Sequence, residues 1–190
     1  MGYTKAELQT YQNASVPDLV GADPKLVFVG INPGLWTAAT QTHFAHPGNR
    51  FYPALRLAGI LDREISRSEG MTAEDRAYLI ARGLANTNLV NRATARADEL
   101  GADELRAGRV RLEAFVAEHR PAVVAIAGIT AYRTAFGRPR ARLGEQPERI
   151  GEARLWVVPN PSGLNAHETI ASLAAAYAEP ARAAGLSLGG

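Results

Sequence analysis

The sequence predicts an α/β protein, a three-layer α/β/α sandwich around a short, mostly parallel sheet of four to five strands. Short apolar runs recur along the chain and alternate with amphipathic segments of helical spacing, which is typical of a parallel sheet covered on both faces. A length of 190 residues suits one domain, 1–190, with its core at about 25–185. Residues 1–24 are predicted to form an N-terminal helix and a connector.

Four apolar runs are the predicted strands, and they cover residues 25–31, 84–90, 122–127 and 154–158. The first ends at Asn-Pro-Gly and the last at Pro159, where the missing N–H of proline interrupts the hydrogen-bonded ladder. Helices are predicted where apolar residues recur at helical spacing, with Thr4 and Thr72 as capping residues. They cover residues 4–13, 48–60, 72–82, 103–119, 128–136 and 169–184.

Composition excludes several classes of protein. The chain has no cysteine, which rules out disulfides, thiolate zinc sites and iron–sulfur clusters and suits a reducing cytosol, so a cytoplasmic protein is predicted. No apolar run is long enough to cross a membrane, and the N-terminus lacks the apolar core of a signal peptide. The four histidines are too widely spaced for an ordinary metal site. We therefore predict neither a membrane nor a metal partner.

The basic residues are almost all arginines. The net charge is only +2, but Lys5 and Lys25 are the only lysines among 21 basic residues. Arginine makes bidentate contacts with phosphate, so this composition suits an anionic partner. Genomic base composition explains the same bias, since alanine is also abundant, and both explanations remain open.

Two predicted strand ends carry Asn-Pro turns, namely residues 30–34 (GINPG) and 159–165 (PNPSGLN). Ligands of parallel α/β sheets bind beyond the carboxyl ends of the strands, so these turns are the place to look for a site. Pro33 keeps Asn32 out of the helical conformation, and the flanking glycines let the backbone approach a ligand. The result is a rigid carboxamide that can orient a water but cannot accept its proton. A simple strand-capping turn is an equally good interpretation.

Both loops also carry apolar residues. Phe44 is suited to stack on a flat ring, although a core phenylalanine under the loop is the alternative. His46 is predicted to be structural, as a single loop histidine usually is. Leu164 is suited to fill a gap in a duplex as an apolar wedge, and the alternative is a hydrophobic staple for the last helix. The backbone N–H groups of 162–164 are placed to face an anion if a helix follows directly.

Three motifs occur in order, G-I-N-P-G at 30–34, F-A-H-P-G-N-R-F at 44–51 and N-P-S-G-L at 160–164, and T-N-L-V-N-R-A-T lies between them at 87–94. Together they resemble the bacterial mismatch-specific uracil-DNA glycosylases, relatives of thymine-DNA glycosylase in the uracil-DNA glycosylase superfamily. The resemblance covers about residues 25–185. It implies a uracil-DNA glycosylase-like fold and a cofactor-free, monomeric repair enzyme of the bacterial cytosol. Such an enzyme flips uracil out of mismatched double-stranded DNA and hydrolyses its N-glycosidic bond, with ethenocytosine and thymine as further substrates.

The resemblance also implies a role for individual residues. Asn32 is expected to position the attacking water. Base binding is expected from Ile31, Phe44, Thr37 and Asn160. The DNA wedge and phosphate contacts are expected from Ser162, Gly163, Leu164, Asn165 and His167.

The sequence departs from the family pattern in the wedge. Asn165-Ala166-His167 stands where the best-known members continue with Ser-Arg, so Asn165 or His167 is expected to replace the contact of that arginine. Asn91 stands where some relatives carry Asp. No lysine occurs in the motifs, so a Schiff-base lyase step is not expected. Two other functions stay open, a non-catalytic sensor of mismatched or abasic DNA and a hydrolase of free nucleosides.

Overall fold

The computed structural model describes residues 2–189 and confirms the predicted fold class. A five-stranded sheet has the order β2-β1-β3-β5-β4. The strands are β1 Leu26–Gly30, β2 Leu84–Asn88, β3 Val123–Ala127, β4 Gly144–Ile150 and β5 Ala153–Val158. The helices are α1 Lys5–Gln9, α2 Leu35–Thr40, α3 Phe51–Leu57, α4 Ala73–Ala81, α5 Ala102–His119, α6 Ile129–Phe136 and α7 Ile170–Ala183, with a short 3₁₀ turn at Ala97–Glu99.

The four predicted strands pair in parallel, so their carboxyl ends lie at one edge of the sheet. Alternate residues of β1 enter two different cores, as the pleat of a strand requires. Phe28 packs on one face against Phe51 of α3 and Tyr177 of α7, with ring centroids 5.0 and 5.4 Å apart. Val27 and Val29 lie on the other face, in the cluster formed with α5 and α6. Burial on both faces explains why the parallel strands are continuously apolar.

Two elements of the structure were not predicted. β4 pairs antiparallel with β5 at the edge of the sheet, and its sequence, GEQPERI, is polar because much of it faces solvent. α2 is a six-residue helix without a side-chain cap, so no local signal marks it. Neither element has the apolar periodicity by which the others were recognised.

One predicted helix boundary was wrong at the site. The helix predicted at 48–60 is α3, which begins at Phe51, because Asn49 Oδ1 accepts the N–H of Phe51 at 2.9 Å in a turn before the helix. The last helix begins at Ile170 with Thr169 as its capping residue, which agrees with the predicted start at 169. Residues 162–164 therefore do not lead directly into a helix.

The N-terminal connector packs on the edge of β2. Leu19 and Asn86 exchange backbone hydrogen bonds of 2.9 and 2.8 Å in an antiparallel bridge. Asp18 forms an ion pair with Arg111 of α5 at 3.0 Å and accepts the Thr87 hydroxyl at 2.6 Å. The connector therefore covers backbone groups that an open edge strand would expose. No helix between residues 2 and 189 has the length and apolarity needed to cross a membrane.

Candidate functional site

The carboxyl ends of β1 and β2 bring two of the sequence motifs side by side. Gly30 is in register with Asn88, and the chains continue together as Leu89 and Val90 donate to the carbonyls of Gly30 and Ile31 at 2.9 and 3.0 Å. The loop after β1 and the stretch at 87–94 therefore form one surface.

Asn32 is held in one orientation by that neighbouring stretch. Its Nδ2 donates to the Arg92 carbonyl at 2.8 Å and to Thr94 Oγ1 at 2.7 Å. A carbonyl can only accept and Thr94 Oγ1 spends its own hydrogen on the Arg96 carbonyl, so the amide nitrogen must face both of them. Within residues 2–189, Oδ1 accepts no hydrogen bond. The side chain thus presents a fixed, half-buried acceptor.

Phe44 packs on the core, as one of the two interpretations of the sequence predicted, and its role in stacking on a base stays a prediction. Its ring stacks on the core residue Phe51 with centroids 4.0 Å apart and planes 25° apart. The residue is only half-buried, and its ring edge lies 3.6 Å from where a Cβ on Gly30 would stand. Its backbone φ of 57° is unusual for a bulky residue and is maintained by the surrounding packing. The core therefore fixes an aromatic ring beside the end of β1.

His43 and Asn88 form a buried polar pair that the sequence analysis did not assign. His43 Nε2 lies 3.0 Å from the Pro17 carbonyl and Nδ1 lies 3.3 Å from Asn88 Nδ2. Burial lowers the pKa of His43, so the neutral ring donates from Nε2 to the carbonyl and accepts at Nδ1. Asn88 must then turn its Nδ2 to His43 and its Oδ1 toward Gly30, where an added Cβ would lie 2.5 Å from that oxygen. An Asn at the end of β2, in register with Gly30, was the available signal.

We expect the buried His43 to make stability pH-dependent. Because its pKa is lower in the folded protein than in the unfolded chain, the unfolded chain binds the proton first, and stability falls as the pH drops below about 6.5. The denaturation midpoint of the wild type should therefore be lower at pH 5.5 than at pH 7.5. The fall of the denaturation midpoint between pH 7.5 and pH 5.5 should be smaller in His43→Gln than in the wild type. The exposed control His167→Gln should show the same fall as the wild type. Equal losses in all three proteins would contradict the assignment.

The second loop is organised by its own asparagines. Asn160 Oδ1 accepts the N–H of Ser162 at 2.9 Å, and Asn165 Nδ2 donates to the Asn160 carbonyl at 3.1 Å. Asn165 Oδ1 accepts the N–H of His167 at 3.3 Å, so both ends of its carboxamide are used inside the loop. The His167 side chain is exposed and, within residues 2–189, makes no hydrogen bond. Of the two candidates to replace the family arginine, His167 is the free one.

Leu164 stands at the tip of this loop with 89% of its surface exposed. Its N–H is held by Ser162 Oγ at 3.2 Å, which fixes the turn that displays it. The staple hypothesis was wrong, because a residue this exposed does not pack on α7, which begins six positions later at Ile170. An isolated apolar tip beside polar loops is the shape that a wedge between base pairs requires.

Arg50 ties the two loops into one unit. Its guanidinium donates to three carbonyls of the second loop, those of Ser162, Asn165 and Glu168, and the Asn165 distance is 2.8 Å. Its backbone N–H also bonds to the Pro161 carbonyl at 3.0 Å. Gly163 packs so closely on the first loop that an added Cβ would lie 2.7 Å from the Gly48 carbonyl. The segment that precedes α3 and the loop that follows β5 therefore hold a fixed relation to each other.

The remaining predicted site residues are less central. Ile31 is half-buried against Gly128, and within residues 2–189 its backbone N–H has no hydrogen-bond partner, so it is free to bind an acceptor. Thr37 is buried in α2, and its role in base binding stays a prediction. His46 is exposed and accepts the N–H of Gly48 at 3.0 Å, as a structural loop histidine does. No three His, Asp or Glu side chains of residues 2–189 are grouped to hold a metal ion.

The fold has a counterpart among solved structures. The solution NMR structure of a candidate uracil DNA glycosylase from Methanosarcina acetivorans matches with a TM-score of 0.55. The two sequences are 15% identical, and the match covers 87% of this chain and 95% of that one. Identity this low shows a shared fold only. The family model of the uracil DNA glycosylase superfamily, however, matches residues 17–179, which is most of the sequence. The chain therefore belongs to the uracil DNA glycosylase superfamily.

Proposed function

We propose that the protein is a monofunctional DNA glycosylase that flips uracil out of mismatched double-stranded DNA and hydrolyses its N-glycosidic bond. The observation that carries this proposal is the presence of two features in one protein: a fixed acceptor, Asn32, at the strand ends, and an exposed apolar tip, Leu164, on a loop that Arg50 anchors. A pocket for a small free nucleoside needs the first feature but has no use for the second. An enzyme that must empty and then refill a base stack needs both.

The chemistry follows from what a carboxamide can do. Asn32 Oδ1 accepts a hydrogen bond from the attacking water and so orients it, but it cannot remove a proton. The glycosidic bond must therefore break largely before the water attacks, which leaves an oxocarbenium-like sugar and a uracil anion. The oriented water then bonds to the sugar, and the proton it releases passes to the uracil anion or to solvent. The unpaired N–H of Ile31 is suited to bind that anion, because fixed backbone donors stabilise charge that develops in the transition state.

Asn88 gives the pocket a means of recognising uracil. One Nδ2 hydrogen faces His43, which leaves the second hydrogen and Oδ1 for a ligand. A donor beside an acceptor complements the O4 and N3–H of uracil. A freely turning carboxamide would also complement the edge of cytosine, but His43 prevents the turn. For a given orientation of the flipped base, the fixed carboxamide thus favours the edge of uracil over that of cytosine.

The decisive test is single-turnover cleavage of labelled duplexes that contain U opposite G, U opposite A, T opposite G, or ethenocytosine opposite G. Strand breaks that appear only after alkali would establish a glycosylase without lyase activity, and the order of rates would identify its lesion. Tight binding of these duplexes without cleavage would instead support the sensor. Cleavage of free uridine without duplex binding would support the nucleoside hydrolase, whose activity should also be insensitive to salt.

Leu164→Ala is expected to slow excision of uracil by about tenfold to a hundredfold, because a lost wedge no longer offsets an unstacking cost of about a few kcal/mol. The loss should be larger for U opposite A than for U opposite G, since a mismatched base is already easier to extrude. Single-turnover rates on the two duplexes measure both effects. Leu57→Ala is the matched control, since Leu57 is 61% exposed on α3 outside the loops. Equal rates for Leu164→Ala and wild type would remove the wedge from the mechanism.

A further inference from the structure

The segment between α6 and β4 carries a cluster of arginines to which the sequence analysis gave no role. Residues 138–143 have the sequence RPRARL, and we call them the arginine arm. Arg138, Arg140 and Arg142 are all exposed, and Leu143, which follows them, is 48% exposed. Unlike the arginine content of the chain as a whole, a cluster of this kind is a local feature that base composition does not explain.

The arm ends beside the carboxyl ends of the parallel strands, where the candidate site lies. Gly144, the next residue, is in register with Val157 of β5. β5 ends one residue later, at Val158, and leads directly into Asn160 and the wedge loop. Adjacent strands lie about 4.8 Å apart, so Leu143 and Arg142 stand beside the start of that loop. A duplex seated on Leu164 would pass close to the arm.

The arm is held in a fixed shape. Arg133 of α6 donates from Nε and Nη2 to the Ala141 carbonyl at 3.0 and 2.6 Å. The buried Gln146 of β4 donates from Nε2 to the carbonyls of Arg142 and Gly144 at 2.8 and 2.9 Å. Two long side chains thus serve to fix backbone carbonyls of an exposed segment. A fixed arm presents its cations without the full entropic cost of ordering a mobile loop.

Two of the three charges of the arm are free. Arg138 is neutralised by Glu148, with Nε 2.9 Å from the carboxylate. Within residues 2–189, the side chains of Arg140 and Arg142 have neither an ion pair nor a hydrogen bond. An unpaired guanidinium on a fixed backbone is suited to bind a phosphate in bidentate fashion.

We infer that Arg140 and Arg142 bind phosphates of the DNA backbone beside the flipped nucleotide, so that the arm is a second DNA contact next to the wedge. This inference rests on the proposed function and adds to it a surface for the duplex flank. The contact is to the backbone and carries no base preference of its own.

The test is the salt dependence of binding to a duplex that contains a stable abasic-site analogue opposite G, which cannot be cleaved. Replacing both arginines, Arg140→Gln with Arg142→Gln, is expected to make the slope of log K against log salt less steep by about 1.8, from about 0.9 for each lost phosphate contact. Affinity at low salt should fall by about tenfold or more. Fluorescence anisotropy at four salt concentrations measures both quantities.

The matched control removes the same amount of charge at the other end of the strands, where β3 and β5 begin. Arg120 follows α5 just before β3 begins, and Arg149 lies where β4 turns toward the start of β5, and both are exposed. The double variant Arg120→Gln with Arg149→Gln should keep the wild-type slope. Equal slopes for the arm variant and wild type, or equal losses in both double variants, would overturn the inference while the glycosylase proposal stands. A wild type that neither binds nor cleaves duplexes would overturn the proposed function itself.

Discussion

Replacing Asn32 by Ala is expected to lower the single-turnover rate of uracil excision by about a hundredfold to a thousandfold, the usual loss when a fixed polar group of an active site is removed. Binding of the abasic-site duplex should change by less than about threefold, because in the proposed mechanism Asn32 Oδ1 orients the water and does not contact the DNA backbone. The single-turnover rate at saturating enzyme measures the effect on excision, and fluorescence anisotropy measures the effect on DNA affinity. Equal excision rates for the variant and wild type would show that another group positions the water.

Two further substitutions test whether orientation, and not merely the presence of the amide, matters. Thr94→Val removes one of the two acceptors that hold Nδ2 and leaves the Arg92 carbonyl, so a partial loss of rate is expected. Asn32→Asp supplies a base but turns a carboxylate oxygen toward the Arg92 carbonyl, where the amide now donates. We therefore expect Asp to be slower than Asn in this protein. A faster Asp variant would contradict the hydrogen-bond pattern on which the mechanism depends.

The elements that could be predicted from the sequence are those whose burial requires a run of apolar residues. β1 and β3 are buried on both faces and consist almost entirely of apolar residues, so the central parallel sheet followed from the sequence. β4 is an exposed edge strand, and its alternation of charged residues with Gln146 and Ile150 does not differ from a loop. The three-layer architecture was therefore predictable, and the antiparallel edge was not.

The site divides in the same way. Asn32 and Leu164 were recognisable because each stands out locally, one before a proline at a strand end and the other at a polar tip. The pairing of His43 with Asn88 joins residues 45 positions apart and exists only once β2 lies beside β1. Its chemical meaning, a neutral histidine that fixes a carboxamide, depends on burial and on a carbonyl from the connector. Contacts between residues this far apart in the sequence leave no recognisable pattern in it.

Arg50 is the clearest case of a residue whose role appears only in three dimensions. Its hydrogen bonds reach residues 112 to 118 positions away and fix the loop that carries Leu164. Arg50→Lys keeps the charge but offers one compact ammonium where a planar fork now serves three carbonyls. We expect excision to slow by about tenfold to a hundredfold and unfolding free energy to fall by about 1–3 kcal/mol, the cost of unsatisfied partly buried acceptors. Arg67→Lys is the matched control, because within residues 2–189 its guanidinium makes a single long hydrogen bond of 3.4 Å, to the Pro47 carbonyl in the segment before α3.

A stability loss alone would also follow from a merely structural arginine, so the coupling between the loops needs its own measurement. Gly163→Ala is expected to push the loop that carries Leu164 away from the segment before α3, because its Cβ would lie 2.7 Å from the Gly48 carbonyl. If Arg50 and Gly163 act through one loop arrangement, the double variant should be little slower than the worse single variant. If the single variants displace Leu164, they should also widen the difference in rate between U opposite G and U opposite A, as Leu164→Ala is expected to do. Fully additive rate losses with the opposite-base difference unchanged would mean that Arg50 supports the fold and leaves the position of Leu164 unaffected.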